Sequence, residues 1–195
     1  MVETGEIKQP VDLLIEGRLL LMNYKNEILS VLENDKVLGF KTLTNKTILI
    51  NKTDETGVEN WIHHIFHPLQ VSEIDFLEKM SKRIFPESYR IFLTQCNGVF
   101  LFGGNFYIYG KAFFKKGMSR DEMLYQPYDL IQESEDPPCK IPVELFYFGG
   151  TPETVFALNL DGSVLELKRR SGKPVSRSDS FDIWLIEKLN STTVF

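Results

Sequence analysis

Apolar positions along the chain follow two rhythms, and each rhythm marks its own kind of element. Tyr89, Phe92, Leu93 and Cys96 recur at i, i+3, i+4 and i+7, the single apolar face of a short helix. Both ends of that helix are signalled. Pro86 suits the first helical position, where its missing N–H costs nothing, and Glu87 behind it favours the positive end of the helix dipole. Asn97-Gly98 supplies residues that tolerate the left-handed conformation closing a helix. Two aromatic-rich runs follow at once, 99–102 and 106–109, split by Gly103-Gly104-Asn105, and this spacing predicts a β-hairpin.

The same reading extends in both directions. Ile74, Phe76, Leu77 and Met80 predict a helix over 72–83 with Ser72 as its cap. Phe181, Trp184, Leu185 and Leu189 predict a second one, capped by Ser180. Strands are predicted over 143–148, ended by Gly149-Gly150, and over 154–160 and 163–168 around a two-residue Asp161-Gly162 turn. In the front part, Ile28, Leu29 and Leu32 lean towards a helix over 24–32, broken by Asn34-Asp35. Residues 37–43 and 47–51 read as β-branched strands flanking Thr44-Asn45-Lys46. Residues 11–22 fit a helical stripe, but Glu16-Gly17 between two apolar runs also fits a hairpin. A turn is expected over 53–57, and one or two helical turns over 58–66, ended by Pro68. Residues 132–138, with two prolines and three acids, read as a solvated loop, and 168–177 as a basic loop. The sum is an α+β fold: an antiparallel-rich sheet of about five to six strands with helices packed on one face and end.

The run Phe85-Pro86-Glu87-Ser88-Tyr89, then Phe92-Leu93, then Asn97-Gly98, then a strand ending in Tyr109-Gly110, resembles the SUKH superfamily of Smi/Knr-type domains. That family starts its helix with Leu-Pro-x-x-Tyr, ends it with Asn-Gly-Gly and follows it with a strand. Phe85 stands here for the usual Leu and Val99 for the second Gly. Phe146-Tyr147-Phe148-Gly149 is similar to the family's second strand-plus-glycine block, and 181–189 to its closing Phe-rich helix. The chain then divides into residues 1–68, an N-terminal extension of uncertain structure, and residues 69–195, the SUKH-like domain. Bacterial members look largely like immunity proteins of polymorphic-toxin systems. The resemblance therefore implies a cytoplasmic binding protein that neutralises a cognate toxin, commonly a nuclease, by stoichiometric occlusion, without catalysis or cofactor. The alternative that the family also offers is a regulatory protein–protein interaction scaffold.

Composition narrows the picture a little further. The chain has 195 residues, 43% of them hydrophobic and 25% charged, the balance of a folded globule. A net charge of −5 argues against a nucleic-acid binder and suits a positively charged partner. Cys96 and Cys139 are far apart in sequence, as expected of reduced thiols in a cytosolic protein. The N-terminus lacks the basic start of a secretory signal, and no apolar run approaches the ~20 residues of a membrane span.

Candidate chemistry is sparse. His63, His64 and His67 are the only histidines, and on a helix His63 and His67 would share one face at metal-ligand spacing. No Cys-x-x-Cys accompanies them, and His64 occupies the place where a zincin carries Glu, so a metal-dependent enzyme remains a remote alternative. Cys96, at a helix C-terminus and on the apolar face, reads as core rather than nucleophile. Gly103-Gly104 and Gly149-Gly150 lack the context of a phosphate-binding loop. No catalytic, metal or cofactor residue is predicted. The partner-binding surface is expected at Tyr125, Tyr128, Glu133, Glu135 and Asp136, an acidic patch with aromatic anchors.

Overall fold

Among the described residues, nine strands pair in strict sequence order into one antiparallel sheet. They are β1 (Phe40–Thr42), β2 (Ile48–Thr53), β3 (Asn60–Ile65), β4 (Val99–Leu101), β5 (Phe106–Ile108), β6 (Phe146–Gly150), β7 (Thr154–Leu158), β8 (Val164–Lys168) and β9 (Pro174–Ser178). The structure, a computed structural model, describes residues 22–53 and 59–192. The ambiguous stretch 11–21 and residues 54–57 of the expected turn lie outside them. The α+β class holds, but the sheet is wider than the five to six strands expected.

Two of the extra strands explain themselves. Residues 60–65, read as helical turns, form β3, in which Trp61, His63 and Ile65 are buried and alternate with the less buried Ile62 and His64. A period of two is the signature of a strand, and it is blurred here because adjacent histidines fall on opposite faces. Residues 174–178, read as a loop, form the edge strand β9. Its side chains are nearly all exposed, so there is no apolar rhythm to read, and Pro174 is tolerated at the start of an edge strand. The Asp161-Gly162 hairpin is present, with one correction. Asn159 N–H donates to Ser163 O at 2.9 Å, so the loop has three residues, with Gly162 at φ +86°.

The helices are α1 (Tyr24–Val31), α2 (Val71–Ser81), α3 (Glu87–Gln95), α4 (Arg120–Leu124), α5 (Leu130–Glu135) and α6 (Phe181–Thr192). The cap of α2 is Gln70 in a capping box with Glu73, not Ser72. Only Ile74 and Leu77 of the predicted apolar side are buried: Phe76, two residues from Ile74, points elsewhere on the helix, and Met80 lines an open cleft. Pro86 is the N-cap of α3 rather than its first helical residue. Ser180 caps α6 as expected, its Oγ accepting Ile183 N–H at 3.2 Å. Residues 132–135, the first part of the expected loop 132–138, belong to helix α5, with Asp129 accepting Ile131 and Gln132 N–H as N-cap.

Helices α1, α3 and α6 meet over one face of the sheet in an aromatic core. Phe181 lies between Tyr24, Tyr89 and Phe92 on one side and Phe148 and Trp184 on the other, with ring centroids 5.4–5.9 Å apart. Trp184 continues the cluster onto Phe106 and Phe156. The front of the chain shares this core, since Tyr24, Ile28, Ile48, Ile50 and Ile65 belong to the same buried cluster.

The Asn-Gly signature has a physical reason beyond the turn. Asn97 is fully buried, and its side chain behaves like a piece of strand: Nδ2 donates to Lys111 O at 2.7 Å and Oδ1 accepts Lys111 N–H at 2.6 Å. Its own N–H donates to His67 O at 3.1 Å. Gly98 follows at φ +83°, and a Cβ on Gly110 would lie 2.0 Å from Asn97 O, so both glycines let the two segments touch. Asn97 thus fixes where the chain leaves the sheet after β5. Asn97→Ala strands the half-buried N–H and C=O of Lys111 and is expected to cost about 2–4 kcal/mol, measured as a lower midpoint in urea unfolding.

Candidate protein-binding groove

The face of the sheet opposite α1, α3 and α6 carries a second aromatic layer. Cross-strand register aligns His64 with Phe100 and Phe100 with Tyr107. On this face Tyr109 stacks on Tyr107 with centroids 5.4 Å apart, and its hydroxyl meets that of Tyr147 at 2.5 Å. The chain leaving at Gly110 returns across this layer. Gly110 N–H donates to Tyr128 O at 3.0 Å and Leu130 N–H to Gly110 O at 2.7 Å, a parallel bridge between Gly110 and Asp129.

Asp129 does two jobs at that crossing. It caps α5 and also pairs with Lys111 Nζ at 2.9 Å. Burial alone would raise its pKa, but the Lys111 ammonium and the N–H groups of Gln132 and Ala112 outweigh burial and hold it below the usual carboxylate range. The crossing thereby sets Tyr128 upright over the sheet, edge-on to Tyr107 and Tyr109 at 6.2 and 6.1 Å. It also brings Glu133 to the same place.

The result is a groove of about 380 Å³ lined by Phe100, Gly103, Gly104, Tyr107, Tyr109, Tyr128, Glu133 and Arg169. Arg169 closes one end: it bonds the Tyr107 hydroxyl, and its Nε donates to Thr151 O at 3.2 Å. Burial raises the Tyr107 and Tyr109 phenols above their ordinary value, and Tyr147 is pushed up to about 12, chiefly by burial. These phenols therefore stay neutral near pH 7. Aromatic surface with polar tips, an arginine and a carboxylate can hold a protein side chain by stacking and hydrogen bonding.

The expected surface residues separate into distinct settings. Tyr128 and Glu133 line the groove, with Tyr128 53% exposed. Tyr125 is packed beside it, edge-on to His64 at 4.9 Å and against the small cluster of Leu43, Leu49 and Trp61. Glu135 faces a different cleft, with Met80, Arg83, Pro142 and Phe146. Asp136 is exposed at the C-cap of α5. The helix explains the separation, because Glu133 and Glu135 stand two residues apart and cannot share a helix face. Phe100, Tyr107, Tyr109, Tyr147 and Arg169 were not expected from sequence as part of this surface. Tyr107 and Tyr109 stand two residues apart along one strand run, which was the available signal.

The histidines have structural partners. His63 Nδ1 accepts Phe102 N–H at 3.1 Å, steadying a non-glycine residue at φ +54° in the β4–β5 turn. His64 stacks on Phe100 at 5.2 Å and bonds Trp61 O at 3.0 Å. His67 leans on Phe113. His63 lies in a strand and His67 just after it, so the two share no helix face, contrary to the spacing expected of them as metal ligands. Among the described residues no three His, Cys, Asp or Glu side chains converge on a common point. Burial also raises the Cys96 thiol far above its usual range, which disfavours a thiolate.

Burial lowers all three histidine pKa values, that of His64 to about 4. The unfolded chain then binds protons that the folded chain refuses. Stability is complete above about pH 6.5 and is lost as pH falls towards 4. For His64 alone the loss reaches about 3 kcal/mol. His64→Phe is expected to flatten that part of the stability–pH curve, as read by urea midpoints between those limits.

Among the described residues no helix is long and apolar enough to cross a membrane. A family model, the SMI1 / KNR4 family (SUKH-1), matches residues 68–187. Comparison with the curated proteins finds no significant match.

Proposed function

The chain belongs to the SMI1 / KNR4 family (SUKH-1), and from that premise we propose that it is an immunity protein acting in the cytoplasm. It neutralises a cognate protein toxin, of nuclease class, by covering the toxin's active site in a stoichiometric complex without turnover. The observation that carries this reading is the uncovered groove of tyrosines with Glu133, the residue chemistry of an interface anchor. The net charge of −5 supports it, since a nuclease presents a basic surface to its phosphate substrate and an acidic inhibitor is steered to it. The contact surface is placed at Tyr128 and Glu133, bordered by Tyr125, Glu135 and Asp136.

Co-expression with the toxin domain encoded in its genomic neighbourhood tests this. Survival of the host, a one-to-one complex in light scattering, and inhibition complete at equimolar protein are expected. Absence of protection, or full inhibition by a small fraction of an equivalent, overturns the proposal.

A further inference from the structure

Resting on that protein-binding reading, we infer that the groove takes one basic side chain, arginine or lysine, presented by the partner. Its aliphatic stem lies along the stacked Tyr107 and Tyr109 rings beneath Tyr128, and its cation reaches Glu133.

The walls have the geometry for this. Tyr107 and Tyr109 are stacked at 29°, while Tyr128 stands at 68° and 84° to them and Phe100 lies tilted to Tyr128 at 6.2 Å. Rings at steep angles around a slot offer several π faces to one cation. Gly104 matters to the fourth wall, because a Cβ there would come 2.8 Å from the Phe100 ring.

The charges select the sign of the guest. Glu133 is half-buried and lines the groove, and among the described residues it makes no ion pair or side-chain hydrogen bond. Arg169, the positive group present, is held as wall by Thr151 O and the Tyr107 hydroxyl. An anionic guest would face the Glu133 carboxylate, and an apolar one would bury that carboxylate without a partner, which is the costly case. A guanidinium or ammonium satisfies it, with a charge-assisted bond at one end and π faces along the stem.

The test has two arms. In the first, N-acetyl-arginine methylamide is titrated into protein with labelled tyrosine rings and followed by NMR, with the neutral isostere N-acetyl-citrulline methylamide alongside. Saturable shifts at Tyr107, Tyr109 and Tyr128 are expected for the arginine probe. The citrulline probe, and the arginine probe against Glu133→Gln, should bind at least about tenfold more weakly. Equal binding of the two probes, or no saturable shift, overturns the inference. In the second arm the neighbouring toxin domain replaces the small probe, and Glu133→Gln should weaken the complex at least about tenfold. If the toxin binds tightly and both Glu133→Gln and Tyr128→Ala stay within about twofold of wild type, the basic-anchor inference falls while the immunity reading stands. If the arginine probe saturates the groove but the toxin does not bind, the immunity reading falls and the inference stands.

Discussion

Exchanging Glu133, Glu135 and Asp136 together for lysine is expected to abolish protection against the toxin, with affinity falling by at least about a hundredfold. The melting temperature should move by no more than about 8 °C. Both halves of that expectation follow from position. Glu133 lines the groove, so a lysine there sets a like charge against a basic partner. Glu135 and Asp136 are exposed, and exposed substitutions shift stability by about 0.5 kcal/mol or less each. Glu133 also sits in the first turn of α5, where losing an acid adds about 0.3–1 kcal/mol. Because α5 turns Glu135 towards another cleft, Glu133→Lys alone should reproduce most of the loss. Protection is read as host survival on toxin induction, and folding as the thermal midpoint. Unimpaired survival with the triple variant would remove this surface from the interface.

The second large effect concerns the core. Phe181→Ala is expected to lower unfolding free energy by about 5 kcal/mol, the upper end for a buried phenylalanine. The ring is fully buried and has five aromatic neighbours drawn from α1, α3, α6 and the sheet. Its removal forfeits edge-to-face contacts in addition to buried area. Against a total stability of roughly 5–15 kcal/mol, the variant should be unfolded or barely folded at 37 °C. Urea unfolding followed by Trp184 fluorescence measures it. A loss below about 2 kcal/mol would mean that the surrounding rings close the cavity. Phe114→Ala, at a ring that is 74% exposed, should change little and serves as the control.

What could be read from the sequence was whatever had a strong period or a punctuated turn. α3 and its hairpin, the Asp161-Gly162 turn and α6 were all legible, because apolar spacing and turn residues agreed there. β3 was not, since His63 and His64 adjoin on opposite faces and each is polar by type although buried or half-buried in fact. β9 was not, because an exposed edge strand needs no apolar residue at all. The candidate site was half legible. Tyr128 and Glu133 stood out as an aromatic and an acid near prolines, but the helix that parts Glu133 from Glu135 was hidden by the acidic composition of 132–138. Tyr107, Tyr109 and Arg169 are 60 or so residues apart at the extremes and meet only because the strands order them side by side, which no local pattern reports.

The strict sequence order of the sheet has a consequence during synthesis. Each strand finds its neighbour already made, so the sheet can grow forward from pairs closed by short loops, apart from the two helix-bearing connections between β3 and β4 and between β5 and β6. Its helix-facing rings, Phe148 and Phe156 among them, wait for Phe181 and Trp184, which are translated after all nine strands. Until they arrive the nascent sheet shows a sticky aromatic flank of the kind chaperones hold. Protection would therefore begin only once α6 has closed the molecule.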